Sequence, residues 1–168
     1  MERIQEIIKI IKQDSNCIWY PSVGKPKLPE GLILLEDLSI FYQSIGGLLL
    51  FPDADFPLQI VYPKDFVRAN PIIANEEWDD DITYNWFIIA KSEGSGGQYV
   101  TIDLGKERLG FCYDSYWDKH VNFDCPIIAK NFTEFLERAY DAKGNIWYWS
   151  EDDFEDYGMS HEDLEPLN

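Results

Sequence analysis

Apolar and polar residues alternate through residues 84–114, and a Gly-rich break at 92–98 and a charged one near 105–108 divide the alternation into three runs. This period of two predicts three consecutive antiparallel strands. Val100, Ile102 and Leu104 should share one face and Tyr99, Thr101 and Asp103 the other, because successive strand side chains point to opposite sides. Leu109, Phe111 and Tyr113 repeat the apolar alternation, so one face of this central meander, about 84–113, is expected to be buried.

Elsewhere the period lengthens. Ile4, Ile7, Ile8 and Ile11 lie at helical spacing and predict a first amphipathic helix ending near Asp14 to Asn16. Leu35, Leu38, Phe41, Tyr42 and Ile45 predict a second helix, closed by Gly46 and Gly47 in a left-handed turn. A third begins at Asn131, whose spacing to Glu134 is that of an N-cap and N3 residue, and carries the stripe Phe132, Phe135, Leu136, Ala139 and Tyr140 to Lys143-Gly144. Short apolar runs at 48–51, 58–62, 125–129 and 146–149 predict further strands, and Pro63 should open a short helix reaching Ala69. Residues 21–29, rich in Pro, Gly and Lys, form an extended connection; 75–81 and 114–124 are expected as loops. One domain over 1–150 is therefore expected, followed by an acidic tail over 151–168.

Charge changes the picture more than composition does. The 168 residues carry a formal charge of −17 with a pI near 4.3, so nucleic acid and anionic membranes would be repelled and a basic protein attracted. Three cysteines without CxxC spacing suit free thiols, and Met1 leads into a charged amphipathic segment rather than a leader, so a cytoplasmic protein is expected. His120 and His161 make no helical metal-binding pair, and no metal or other cofactor is expected. Cys112 sits within a strand, where a thiol packs rather than reacts. The 92–98 loop lacks the Lys-Ser/Thr of a phosphate-binding loop. Paired carboxylates among 31 acids leave an acidic hydrolase as the last-ranked alternative.

Recognition remains. Glu76, Glu77, Asp79, Asp80 and Asp81 surround Trp78; Asp114 and Asp118 flank Tyr116 and Trp117; Glu151, Asp152 and Asp153 follow Trp147, Tyr148 and Trp149. Acids beside aromatic anchors suit a cationic protein surface, although exposed aromatics would serve a homodimer as well as a foreign partner.

Several segments together, EDLSIFYQSIGGLLLF, IVYPKDFVRANPII, WFIIA with QYVTIDL and ERLGFCYDSYWD, and PIIAKNFTEFLERAY followed by WYW, resemble the SUKH superfamily of fungal Smi/Knr-type regulators and many bacterial proteins. The likeness covers about 32–149. It implies an α+β domain in which a single antiparallel sheet is wrapped by N-terminal, middle and C-terminal helices. For a bacterial member it implies a non-enzymatic immunity protein that neutralises a toxin domain, frequently a nuclease; for a relative of the fungal proteins, an intracellular scaffold. On the first reading the three acidic clusters named above form or border the toxin interface.

Overall fold

Seven strands, each paired antiparallel with its neighbours in sequence, make one sheet in the order β1 to β7, so the fold is α+β. The computed structural model describes residues 1–162. Along the chain these are α1 (Glu2–Gln13), β1 (Cys17–Tyr20), α2 (Glu36–Ser44), β2 (Gly47–Leu50), β3 (Leu58–Ile60), α3 (Ala69–Ile73), β4 (Trp86–Ser92), β5 (Gln98–Asp103), β6 (Cys112–Asp114), α4 (Trp117–Val121), β7 (Ile127–Ala129) and α5 (Phe132–Asp141). The expected meander is β4, β5 and β6.

One face of the sheet packs on the three longer helices, which also pack on one another. Ile4, Ile7, Ile8 and Ile11 of α1 are buried as their spacing requires. Phe41 meets Phe132 edge to face at 5.1 Å, and an aromatic chain runs from Tyr42 through Phe66 to Phe87 on β4, with centroids 5.9 and 5.4 Å apart. Each such ring removes on the order of 2–3 kcal/mol worth of apolar surface from water. At the start of α5 the Asn131 side chain accepts a hydrogen bond from Glu134 N at 2.8 Å, and Glu134 in turn accepts from Lys130 N at 2.8 Å.

The second face is buried as well, which the alternation did not anticipate. Asp103 pairs with Trp86 and Thr101 with Tyr113, and directly opposed residues share a face. Tyr113 therefore lies with Thr101 and Asp103, opposite to Val100 and Ile102. Thr101 and Tyr113 are fully buried, under a small second layer in which α3 and α4 touch through a 2.7 Å hydrogen bond between Asn70 and His120. Helix α4 itself replaces the loop expected there.

Other expectations are corrected. Cys17–Tyr20 is a strand that carried too short a signal to predict. Pro63 opens only the 3₁₀ turn Pro63–Asp65, and α3 starts separately at Ala69. Residues 146–149 are not a strand; Tyr148–Ser150 form a 3₁₀ turn, and residues 157–160 bond to the β7 edge of the sheet instead. There Tyr157 N donates to Ile127 O at 3.0 Å, Ile127 N to Gly158 O at 2.9 Å and Ser160 N to Cys125 O at 2.9 Å. The chain thus stays on the domain to Ser160, while the expected tail residues Asp163 and Glu165 lie outside the described residues. Gly46 and Gly47 do not provide a left-handed turn. A Cβ on Gly46 would stand 2.3 Å from Pro21 O, and one on Gly47 2.6 Å from the Tyr62 ring, so close packing demands both.

Candidate functional site

The acidic segment between α3 and β4 is largely exposed. Glu76, Glu77, Asp79 and Asp80 are exposed around Trp78, which keeps 60% of its surface. Arg68 tethers the segment: its Nε donates to Tyr84 O at 3.1 Å and stands 3.6 Å from Glu77. Asp81 is half-buried, and its carboxyl is raised above the usual range by burial and by the like charges of Asp80 and Glu76.

Tyr116, Trp117 and Asp118 lie at the start of α4, with Trp117 about half exposed beside the β4–β5 turn, where its N–H donates to Gly97 O at 3.1 Å. Glu151, Asp152 and Asp153 are exposed in the turn after Trp149. Asp114 requires correction as a partner-facing residue. It is only 2% exposed, and its oxygens accept from Gln98 Nε2 at 2.8 Å, from Tyr116 N at 3.2 Å and from Lys119. It holds the β6–α4 junction, and Lys119 covers it from solvent.

At the end of the sheet nearest the acidic segment lies a cleft of about 370 Å³. Asp79, Asp81, Asp103, Glu107 and Glu162 line it, against Lys106 and Arg108. Its floor is the second face of the sheet: Trp86 and Tyr113 stack with centroids 3.8 Å apart, beside Asp103. One Asp103 oxygen accepts from Gly105 N at 2.6 Å. Burial nonetheless pushes the Asp103 carboxyl up to about 6, with Glu107 adding to the shift while the Gly105 N–H, Trp86 and Arg108 oppose it. Trp86 Nε1 and Tyr113 Oη are buried and, among the described residues, close no hydrogen bond. Arg108 is occupied as a strut, donating to the carbonyl oxygens of Ser160 and Glu162.

Acceptor-only carboxylates converging on a partly dry cleft are suited to holding a cation. Of the acids singled out in the sequence only Asp79 and Asp81 reach this cleft; the clusters at 116–118 and 151–153 lie outside its lining. Trp86, Asp103 and Arg108 were not foreseen as site residues, and Tyr113 was expected only as the first residue of an interface loop reaching Asp118. The one available signal was a carboxylate in the apolar alternation of β5, next to a run that ends in Gly-Lys-Glu-Arg. Among the described residues no group of three or more His, Cys, Asp and Glu side chains is placed to hold a metal ion, and no helix is long and apolar enough to cross a membrane.

No protein-family model and no solved structure matches the chain. Among curated proteins it is similar to the immunity protein YokJ of Bacillus subtilis (strain 168), with 39% identity over 163 residues that span 96% of this chain and 98% of YokJ. Identity at that level along nearly the whole of both chains, on an α+β fold of the kind its SUKH resemblance implies, places this protein in the bacterial immunity-protein family of YokJ.

Proposed function

We propose that this protein is an immunity protein that neutralises a cognate toxin domain by binding it directly, in the cytoplasm and without chemistry of its own. The end-to-end similarity to a protein named for immunity carries the reading. The kind of toxin follows from charge. A nuclease domain needs basic residues to hold phosphates, and a chain of net charge −17 competes for that surface with both faster association and greater affinity. Glu76, Glu77, Asp79 and Asp80, exposed around Trp78, supply a steering patch with an aromatic anchor. Glu151, Asp152 and Asp153 extend the negative field, and Tyr116, Trp117 and Asp118 border the same interface.

The test is protection and binding with the product of the neighbouring toxin gene. Co-expression should restore growth of a sensitive host, and the two chains should purify together. Replacing Glu76, Glu77, Asp79 and Asp80 together with Lys should slow association at least tenfold at low salt and flatten its dependence on ionic strength. Unchanged association and salt response would refute the placement of the patch; absence of any complex would refute the function.

A further inference from the structure

We infer that the cleft over Asp103 is the anchor socket of the toxin interface, receiving one arginine side chain of the toxin between the Asp103 carboxylate and the Tyr113 hydroxyl. The inference rests on the immunity reading and says which chemistry that surface recognises.

Three observations lead to it. First, the floor contains polar atoms that folding left unsatisfied. Tyr113 is fully buried and Trp86 is 1% exposed, and among the described residues neither the hydroxyl, which has Arg108 nearby, nor the indole N–H closes a hydrogen bond. Buried groups of this kind cost stability unless a partner completes them. Second, the carboxylate at the centre is held at one oxygen by Gly105 N, while no protein donor among the described residues closes on the other. Burial raises this carboxyl to about 6 against the Gly105 amide and Arg108, so above that pH its second oxygen is an ionised acceptor for a cation. Third, Asp79, Asp81, Glu107 and Glu162 ring the opening, and the counter-charge of Arg108 is already committed to the Ser160 and Glu162 carbonyls.

Arginine fits this chemistry better than lysine. Its fork of donors can reach a carboxylate oxygen and a phenol oxygen at once, and it tolerates burial in an interface better than a strongly hydrated ammonium. A side chain of a protein fits better than a free small molecule. The rim acids Asp79 and Asp81 belong to the same exposed segment as Glu76, Glu77 and Trp78, so the surface that recognises the cation continues well beyond the cleft. A cleft of about 370 Å³ is at the small end of ligand sites and accommodates one long side chain.

Asp103→Asn and Tyr113→Phe keep the shape of the floor, and each should be titrated as full chain against a catalytically inactive form of the neighbouring toxin after its melting curve has shown it folded. Asp103→Asn is expected to weaken binding about a hundredfold and Tyr113→Phe several-fold. Among single Arg→Met variants of the toxin, one should lose affinity to a similar degree and show no further loss when combined with Asp103→Asn. Wild-type affinity should rise with pH through about 6, where Asp103 ionises in a cleft it shares with Glu107, Arg108 and Tyr113 and, across it, Asp79, Asp81, Lys106, His161 and Glu162, and the rise that Asp103 causes should vanish in Asp103→Asn. If wild type binds the toxin and Asp103→Asn binds within twofold of it, the socket is refuted while the immunity function stands. If free arginine binds the cleft as tightly as the toxin does, or if wild type binds no toxin, the inference also falls; the second outcome removes the immunity reading with it.

Discussion

Asp103→Asn also makes the sharpest prediction about stability, because amide and carboxyl have the same shape and differ in charge. Burial raises the Asp103 carboxyl from 3.8 to about 6 in the folded protein. Between those values the folded state holds the proton that the unfolded chain has released, so stability contributed by this group falls as pH rises. Below 3.8 the contribution is complete, and above about 6 it is gone. Some 2 units at 1.36 kcal/mol each make the cost of keeping Asp103 ionised about 3 kcal/mol at neutral pH. Asparagine retains an oxygen for the Gly105 N–H and has no charge to desolvate. The unfolding free energy of the variant, relative to wild type, should therefore improve by about 3 kcal/mol between pH 3 and pH 7. Urea denaturation at several pH values, followed by tryptophan fluorescence, measures this directly. A difference that stays constant with pH, or that moves against the variant, would refute the account of Asp103 as a charge held in place at a cost to the fold. Together with weaker toxin binding, the predicted gain would mark Asp103 as a group kept for its partner rather than for stability.

Three further outcomes follow from individual contacts. Burial lowers His120 from 6.5 to about 4, so the unfolded chain binds the proton first; stability should be full above about 6.5 and fall by up to about 3 kcal/mol as pH drops towards 4, most visibly in Asp103→Asn, where the opposing titration is gone. Gly144→Ala should lower stability by about 2–3 kcal/mol in thermal or urea unfolding, since φ is +73° and the new Cβ would stand 2.5 Å from Ala54 Cβ and 2.8 Å from Phe51 Cβ. Asn131→Ala should cost about 1 kcal/mol through loss of the α5 cap, and Asn131→Ser should restore most of it in the same assay.

The longer helices were legible because each carries its apolar residues at a spacing that only one secondary structure can gather onto one face. Ile4, Ile7, Ile8 and Ile11 serve α1 in this way, and Phe132, Phe135, Leu136, Ala139 and Tyr140 serve α5. The meander was legible for the same reason. Elements of four or five residues, such as β1 and α4, contain two strand periods or little more than one helical turn, too few to register as a pattern, and long-range pairing decides them. Residues 146–149 show the converse case: four β-favouring residues make no strand, and Tyr148–Ser150 form a 3₁₀ turn, while residues 157–160, with no comparable apolar run, bond to the sheet edge.

Sequence alone determined the longer helices, the central meander, the acidity and the exposed groups around Trp78, Trp117 and Glu151, since charge density and periodicity are local properties, while the α+β class rested on the resemblance. Tertiary structure alone decided which acids are buried and which line the cleft. Asp114 is buried because Gln98 and Lys119, from other elements, satisfy it. Asp103 lies in a cleft because strand pairing sets it beside Trp86, while residues 157–160, far along the chain, bring Glu162 to the opposite wall. A carboxylate's solvation and neighbours depend on contacts across the fold, and spacing along the chain carries no record of them.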